Sequence, residues 1–163
     1  MQAKTEIIVR RVHDLFAETG ATLSTAESCT AGFVAHLITS LPGASAFYEG
    51  GVVAYSAAAK IRLLGVPGDI INRQGVVSAG TAGEMAERVR VLLGTDYSVA
   101  TTGNLGPDVL DGKERGLIYI AVGTRDRTEV RELRLSGERE ENKAAVGTAV
   151  LQFLVEMIER EKR

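Results

Sequence analysis

Thr22-Leu23-Ser24-Thr25-Ala26 runs straight into Glu27-Ser28-Cys29-Thr30-Ala31-Gly32, and the reading of this stretch decides the fold. Residues 22–26 are short, open on a β-branched side chain and are bounded by Gly20 and by polar residues, which is the pattern of a strand. Residues 30–39 then read as a helix, stopped by Leu41-Pro42-Gly43. A strand that gives way at once to a helix is the repeating unit of an α/β sheet.

The same unit recurs on both sides. Upstream, Ile8, Val12, Leu15 and Phe16 follow helical spacing, which predicts a helix over residues 5–18, ended by Gly20. Downstream, residues 51–56 are strand-like and residues 57–64 are good helix formers. Residues 78–93 form a further helix, with Met85, Val89, Leu92 and Leu93 on one face. Ser78 or Thr81 can cap its start, and Thr81 with Glu84 fits a capping box.

Three strands follow, over residues 97–101, 117–122 and 128–135. The second is nearly all apolar, so it is expected to be central and buried on both faces. The third sets Val130, Leu133 and Leu135 among charges, which suits an edge. Arg125 to Arg127 is too short for a crossover, so the last two strands should form an antiparallel hairpin. Val146, Val150, Phe153, Leu154, Met157 and Ile158 mark a long amphipathic terminal helix. The expected architecture is a three-layer α/β/α sandwich on a mixed sheet of about five strands, with residues 1–163 as one domain.

Composition narrows the function. The 163 residues carry 45% hydrophobic and 25% charged side chains and a formal charge of -2, so no general pull toward nucleic acid or an acidic membrane is expected. Tryptophan is absent and aromatics make up 5%, which leaves little for a base-stacking platform. No apolar run reaches the ~18 residues that span a membrane. Residues 1–10 contain Lys4 and Glu6 and no signal-peptide core, so a cytoplasmic location is expected. The single Cys29 suits a reducing compartment. His13 and His36 stand apart, and no metal site or other cofactor is expected.

Ligands in such sheets bind beyond the strand ends, at strand-to-helix turns. Three turns qualify. At residues 25–32, backbone N–H groups could hold a phosphate or an oxyanion, and Ser28 is either a nucleophile or, like Thr30, an N-cap. Cys29 is either a reactive thiol or a small gap-filling residue. His36 lies about two helical turns beyond Ser28 and reads as a surface or packing histidine. At residues 55–60, Lys60 sits near a helix start, where its cation is disfavoured. It is either a solvated lysine or a neutral amine able to take a serine proton. At residues 101–108, Thr102, Gly103, Asn104 and Gly106 form either a ligand loop or a plain one.

Together these stretches resemble the CinA C-terminal domain family, whose characterised members are nicotinamide-nucleotide amidases. The resemblance rests on Thr25-Ala26-Glu27-Ser28-Cys29-Thr30, Gly50-Gly51-Val52-Val53-Ala54-Tyr55-Ser56 with Lys60, and Ile61-Arg62-Leu63-Leu64-Gly65-Val66. Gly75-Val76-Val77-Ser78, Thr102-Gly103 and Gly106-Pro107 complete it. It covers residues 5 to 160 and implies a mixed five-stranded α/β/α sandwich. It also implies hydrolysis of nicotinamide mononucleotide to nicotinate mononucleotide and ammonia without cofactor, within pyridine-nucleotide recycling. The resemblance places the catalytic residues at Ser28, Tyr55 and Lys60, with Tyr55 as a relay between the other two. Amides near Cys29 and Thr30, beside Gly32, would hold the oxyanion. The loop of Thr102, Gly103 and Gly106 would line the pocket, and Arg139 and Lys143 would meet the phosphate. A homodimer is compatible with the family.

The chain departs from the family pattern at four places. Ala31-Gly32 replaces a usual Gly-Gly, and Ala57-Ala58 replace Asn-Glu. Asn104-Leu105 replace Ile-Ala ahead of Gly106-Pro107. Lys113-Glu114-Arg115-Gly116-Leu117 stands for Lys-Pro-Val-Gly-Thr. These changes lie near the expected site, so a different substrate, or a nucleotide-binding or partner-binding domain without turnover, is the competing expectation. Bifunctional relatives also carry an N-terminal domain, which is not expected here.

Overall fold

A computed structural model describes residues 1–109 and 111–163. The chain runs α1 (Ala3–Thr19), β1 (Leu23–Glu27), α2 (Phe33–Thr39), a 3-10 turn (Ala44–Ala46), β2 (Tyr48–Val53), α3 (Ala57–Leu64), α4 (Gly68–Gln74) and α5 (Ala79–Leu93). It continues β3 (Tyr97–Gly103), β4 (Leu117–Gly123), β5 (Thr128–Arg134) and α6 (Arg139–Glu161). The five strands lie in the order β2-β1-β3-β4-β5. β2, β1 and β3 are parallel, while β3-β4 and β4-β5 are antiparallel, so the sheet is mixed.

Strand alternation divides the interior into two unlike layers. Leu23, Val99, Ile118, Ile120 and Val122 point to one face and meet Val9, Leu15 and Phe16 of α1 and Val150, Phe153 and Leu154 of α6. Ala26, Ala100 and Ala121 point to the other face and meet Ala82, Met85, Ala86 and Val89 of α5. Successive strand residues face opposite sides, so one heptapeptide serves both layers. Small side chains on the second face let α5 lie close across the sheet.

Four expectations need correction. The second helix begins at Phe33, not at residue 30, because residues 28–32 form a turn in which Ala31 and Gly32 have positive φ of 48° and 97°. The second strand occupies Tyr48–Val53, not residues 51–56. β1 ends at Glu27 opposite Val53, and the Ala54 amide makes the last contact, on the Glu27 carbonyl at 2.9 Å. α4 was not anticipated, since Gly68–Gln74 is polar, starts on glycine and buries no residue. No Thr81–Glu84 box forms. The Ser78 hydroxyl accepts the Thr81 amide at 3.1 Å, the Thr81 hydroxyl donates to the Gly75 carbonyl at 2.7 Å, and Glu84 pairs with Arg88 at 2.9 Å. β4 is interior and almost wholly buried as expected, although the middle strand is β3. β5 is an edge strand.

Ala31 is an exposed alanine in the left-handed region. That conformation costs an L-residue about 1–2 kcal/mol, against the ~0.4–1 kcal/mol by which glycine loosens the unfolded chain. Ala31→Gly should therefore raise the unfolding free energy by up to about 1 kcal/mol, and Ala31→Val should lower it. Urea midpoints of the two variants check this, and a lower midpoint for Ala31→Gly would contradict it.

Candidate active site

The carboxyl ends of β1, β2 and β3 lie side by side and deliver three segments to one place: Ser28 after β1, Ala54-Tyr55 after β2 and the loop from Gly103 after β3. The Ser28 amide donates to the Thr101 carbonyl at 3.0 Å, which fixes the serine backbone to the neighbouring strand. Ser56 caps α3 by accepting the Ala59 amide at 3.0 Å, so the helix starts in register to send Lys60 inward. Lys60 is 1% exposed.

The Lys60 ammonium site is defined by three oxygens. Nζ lies 2.8 Å from Ser28 Oγ, 3.0 Å from the Ala54 carbonyl and 3.1 Å from the Tyr55 carbonyl. Carbonyls only accept, so they claim two N–H groups. In the neutral amine the remaining tetrahedral position is a lone pair aimed at the serine hydroxyl. Burial pulls the Lys60 pKa from 10.5 down to about 8, opposed in part by Cys29 and Asp111. The Ser28 hydroxyl has one other acceptor, the Tyr55 carbonyl at a long 3.4 Å.

A cavity of about 420 Å³ opens over Ser28. Cys29, Tyr55, Gly103, Gly106 and Arg139 line it, together with Asn104, Leu105, Pro107 and Asp108. Arg139 spans the rim, donating to the Gly106 carbonyl at 2.7 Å and to the Tyr55 phenol at 3.0 Å. The Tyr55 phenol is therefore engaged with Arg139, while its backbone carbonyl holds Lys60. No bond joins that phenol to Ser28 or Lys60. Burial pushes the Cys29 thiol up to about 12, so it stays protonated at neutral pH. The amides of Cys29 and Thr30 make no backbone–backbone hydrogen bond among the described residues.

Besides Lys60, four expected site residues lie outside the cavity lining. The Thr30 hydroxyl donates to Glu27 at 2.6 Å, and the Thr102 hydroxyl to the Val76 carbonyl at 2.7 Å. Gly32 is the N-cap of α2, and Lys143 pairs with Glu140 at 3.6 Å. Ala57 and Ala58 form the exposed first turn of α3, away from the cavity. The Asn104 amide nitrogen donates to the carbonyls of Lys113 and Glu114 at 3.2 and 3.3 Å, so two of the departures touch each other.

Three residues beyond the sequence reading organise the site. Glu27 is buried and accepts the amides of Val34 and Ala35 at 2.8 and 3.1 Å. Asp111 accepts the amides of Val76 and Val77 at 2.7 and 3.2 Å. Asn142 ties the Leu105 and Gly137 carbonyls together at 3.1 and 2.8 Å. Glu27 stood inside the quoted motif, and an acid ahead of a glycine-started helix was its available signal. The contacts of Asp111 with Val76 and Val77 and of Asn142 with Leu105 span 34 or more residues, and nothing local announces them.

Among the described residues no group of three His, Cys, Asp or Glu side chains gathers where it could hold a metal ion. No described helix is long and apolar enough to cross a membrane.

A profile of the CinA C-terminal domain matches residues 5–158. A CinA-like protein of Geotalea daltonii is 41% identical over 150 residues, covering 91% of this chain and 36% of that protein. One of Geobacter sulfurreducens is 41% identical over 141 residues, covering 86% and 34%. The chain spans little more than a third of the curated relatives it matches. The crystal structure of a CinA-superfamily protein from Klebsiella pneumoniae superposes with a TM-score of 0.93 at 29% identity, covering 96% of this chain and 98% of that one. A competence/damage inducible protein from Agrobacterium tumefaciens gives a TM-score of 0.91 at 32% identity, covering 95% and 96%. Sequence and architecture agree across nearly the whole length: the chain belongs to the CinA C-terminal domain family.

Proposed function

We propose that this domain is an amidohydrolase that converts nicotinamide mononucleotide to nicotinate mononucleotide and ammonia through an acyl-enzyme on Ser28. The observation that carries the reading is the 2.8 Å approach of the buried Lys60 amine to the Ser28 hydroxyl, with two carbonyls occupying its other N–H groups. The family resemblance supplies the substrate.

Neutral Lys60 takes the Ser28 proton as Oγ attacks the carboxamide carbon. The carbonyl oxygen becomes an oxyanion held by the Cys29 and Thr30 amides, each such donor being worth ~3 kcal/mol. The Lys60 ammonium returns its proton to the carboxamide nitrogen, the C–N bond breaks and ammonia leaves. Water then attacks the ester, gives a proton to Lys60, and collapse of the second tetrahedral intermediate returns that proton to Ser28 as nicotinate forms. The 420 Å³ cavity is in the range that small ligands occupy, about 300–1,000 Å³. Arg139 at the rim offers the phosphate its guanidinium, with Tyr55 as the group that steadies it. Lys143, one helical turn on, lies outside the lining and is assigned a supporting charge at most.

Ammonia release from nicotinamide mononucleotide by the purified protein tests the reading. Ser28→Ala and Lys60→Met should each lower kcat by at least about 10³-fold, whereas Arg139→Gln should act chiefly on KM. Nucleotide binding without ammonia release would replace the amidase with a binding domain.

The pH profile has a defined sign. Only unprotonated Lys60 can accept the proton, so kcat/KM should climb about tenfold per pH unit up to about 8 and then level off. A flat profile between pH 6 and 8 would argue against Lys60 as base. Stability follows the same group. Its folded pKa lies below its unfolded value of 10.5, so the penalty for the buried charge is complete below about 8 and fades between 8 and 10.5. The unfolding free energy of wild type relative to Lys60→Met should therefore rise by about 3 kcal/mol across that window.

A further inference from the structure

The turn that carries Ser28 has an unusual support. Its helix, α2, spans only Phe33–Thr39, and its N-cap Gly32 has no side chain to offer. The cap comes from outside the helix. Glu27, the last residue of β1 and 1% exposed, accepts the Val34 amide at 2.8 Å through Oε1 and the Ala35 amide at 3.1 Å through Oε2. Oε1 also accepts the Thr30 hydroxyl at 2.6 Å. One carboxylate thus ties the middle of the turn to the start of the helix and clamps residues 28–32 between two fixed points.

The clamp also has a direction. A carboxylate only accepts, so the Thr30 proton belongs to Glu27. Thr30 Oγ1 lies 2.7 Å from Thr101 Oγ1, and Thr101 must then be the donor of that pair. Thr101 is the residue whose carbonyl receives the Ser28 amide at 3.0 Å. Glu27 therefore fixes the turn both to α2 and, through Thr30, to the strand that anchors the nucleophile. It also keeps the Val34 and Ala35 amides of α2 occupied, while the Cys29 and Thr30 amides beside Ser28 make no backbone–backbone hydrogen bond among the described residues.

We infer that Glu27 is a positioning residue for the reaction, setting the Ser28 hydroxyl against the Cys29 and Thr30 amides while touching neither substrate nor base. The inference rests on the Ser28 reading of the site. A glutamine at this position has a single carbonyl oxygen, and its NH2 group would confront one of the helix amides or the Thr30 hydroxyl. The turn would relax by a fraction of an ångström, enough to misalign a nucleophile with its oxyanion donors.

Glu27→Gln and Thr30→Val should each lower kcat for nicotinamide mononucleotide about tenfold or more, with KM within about twofold and the alkaline rise of the rate unmoved. Thr39→Ala, which removes a hydroxyl bonded to the Ala35 carbonyl at 2.8 Å at the far end of α2, controls for helix stability and should keep kcat. A fluorophosphonate probe gives a second readout that needs no nucleotide. Ser28 Oγ attacks phosphorus, the P–F bond breaks, fluoride leaves, and the hydroxyl proton passes to Lys60. Labelling should slow in Glu27→Gln as kcat does. Labelled wild type that releases no ammonia, with labelling slowed in Glu27→Gln, would overturn the amidase and keep the positioning role. A folded Glu27→Gln with wild-type kcat and labelling, or one altered only in KM, would overturn the positioning role. Wild type that neither labels nor releases ammonia would end both.

Discussion

A primary amine with almost no access to water, pressed against a hydroxyl and two carbonyls, is the constraint around which this domain is arranged. Lowering the Lys60 pKa from 10.5 to about 8 corresponds to about 3 kcal/mol of stability forgone at neutral pH. That is a large share of the ~5–15 kcal/mol by which domains are stable. The cost is borne by a core with few weak points: a bulky aliphatic layer under α1 and α6, and an alanine-rich layer under α5. No buried side-chain nitrogen or oxygen among the described residues lacks a hydrogen-bond partner. An acid near enough to pair with Lys60 would remove the strain and with it the free amine that the proposed mechanism needs. The nearest opposing influences are Cys29, itself held protonated by burial, and Asp111, whose carboxylate is committed to two backbone amides.

The same economy governs the serine. Ser28 does not cap a helix; the helix amides that could have received it are held by Glu27. A turn with two left-handed residues takes the place of a first helical turn. Consequently the Cys29 and Thr30 amides lie outside the helical hydrogen-bond ladder, which is what the proposed oxyanion role requires.

The fold was legible because its signals are local. Helical spacing, glycine stops and strand-like runs located α1, α3, α5 and α6 and four of the strands, with β2 placed three residues late, and the short polar link around Arg125 to Arg127 announced the β4-β5 hairpin. What misled was also local. Residues 30–32 have helical neighbours, and only the carboxylate of Glu27 explains why the helix waits until Phe33. Of the candidate site, the meeting of Ser28 and Lys60 was legible, because a strand end and a helix start fix side-chain direction. Tyr55 shows the limit: its position in the sequence does not tell whether the phenol or the carbonyl serves the lysine, and the structure uses the carbonyl. Asp111 and Asn142 were invisible because their bonds close long loops.

The departures from the family pattern divide along physical lines. Ala57 and Ala58 sit on an exposed helical turn, and Ala31 strains the backbone without lining the cavity. Asn104 and Leu105 are different, because both line the cavity. Leu105 is buried in the larger core layer, and its carbonyl is held by Asn142. Asn104 turns its amide onto the carbonyls of Lys113 and Glu114. A side chain whose donors close its own loop shapes a wall more than it presents a donor to the ligand. The changes at residues 104–105 and 113–117 are therefore joined by hydrogen bonds, and of these residues Asn104 and Leu105 line the cavity. Ser28, Lys60 and their carbonyls are held by β1, β2 and α3. The Ser28–Lys60 pair and the wall at residues 103–108 thus come from different chain segments, so a change in the wall leaves the contacts of the proposed base in place.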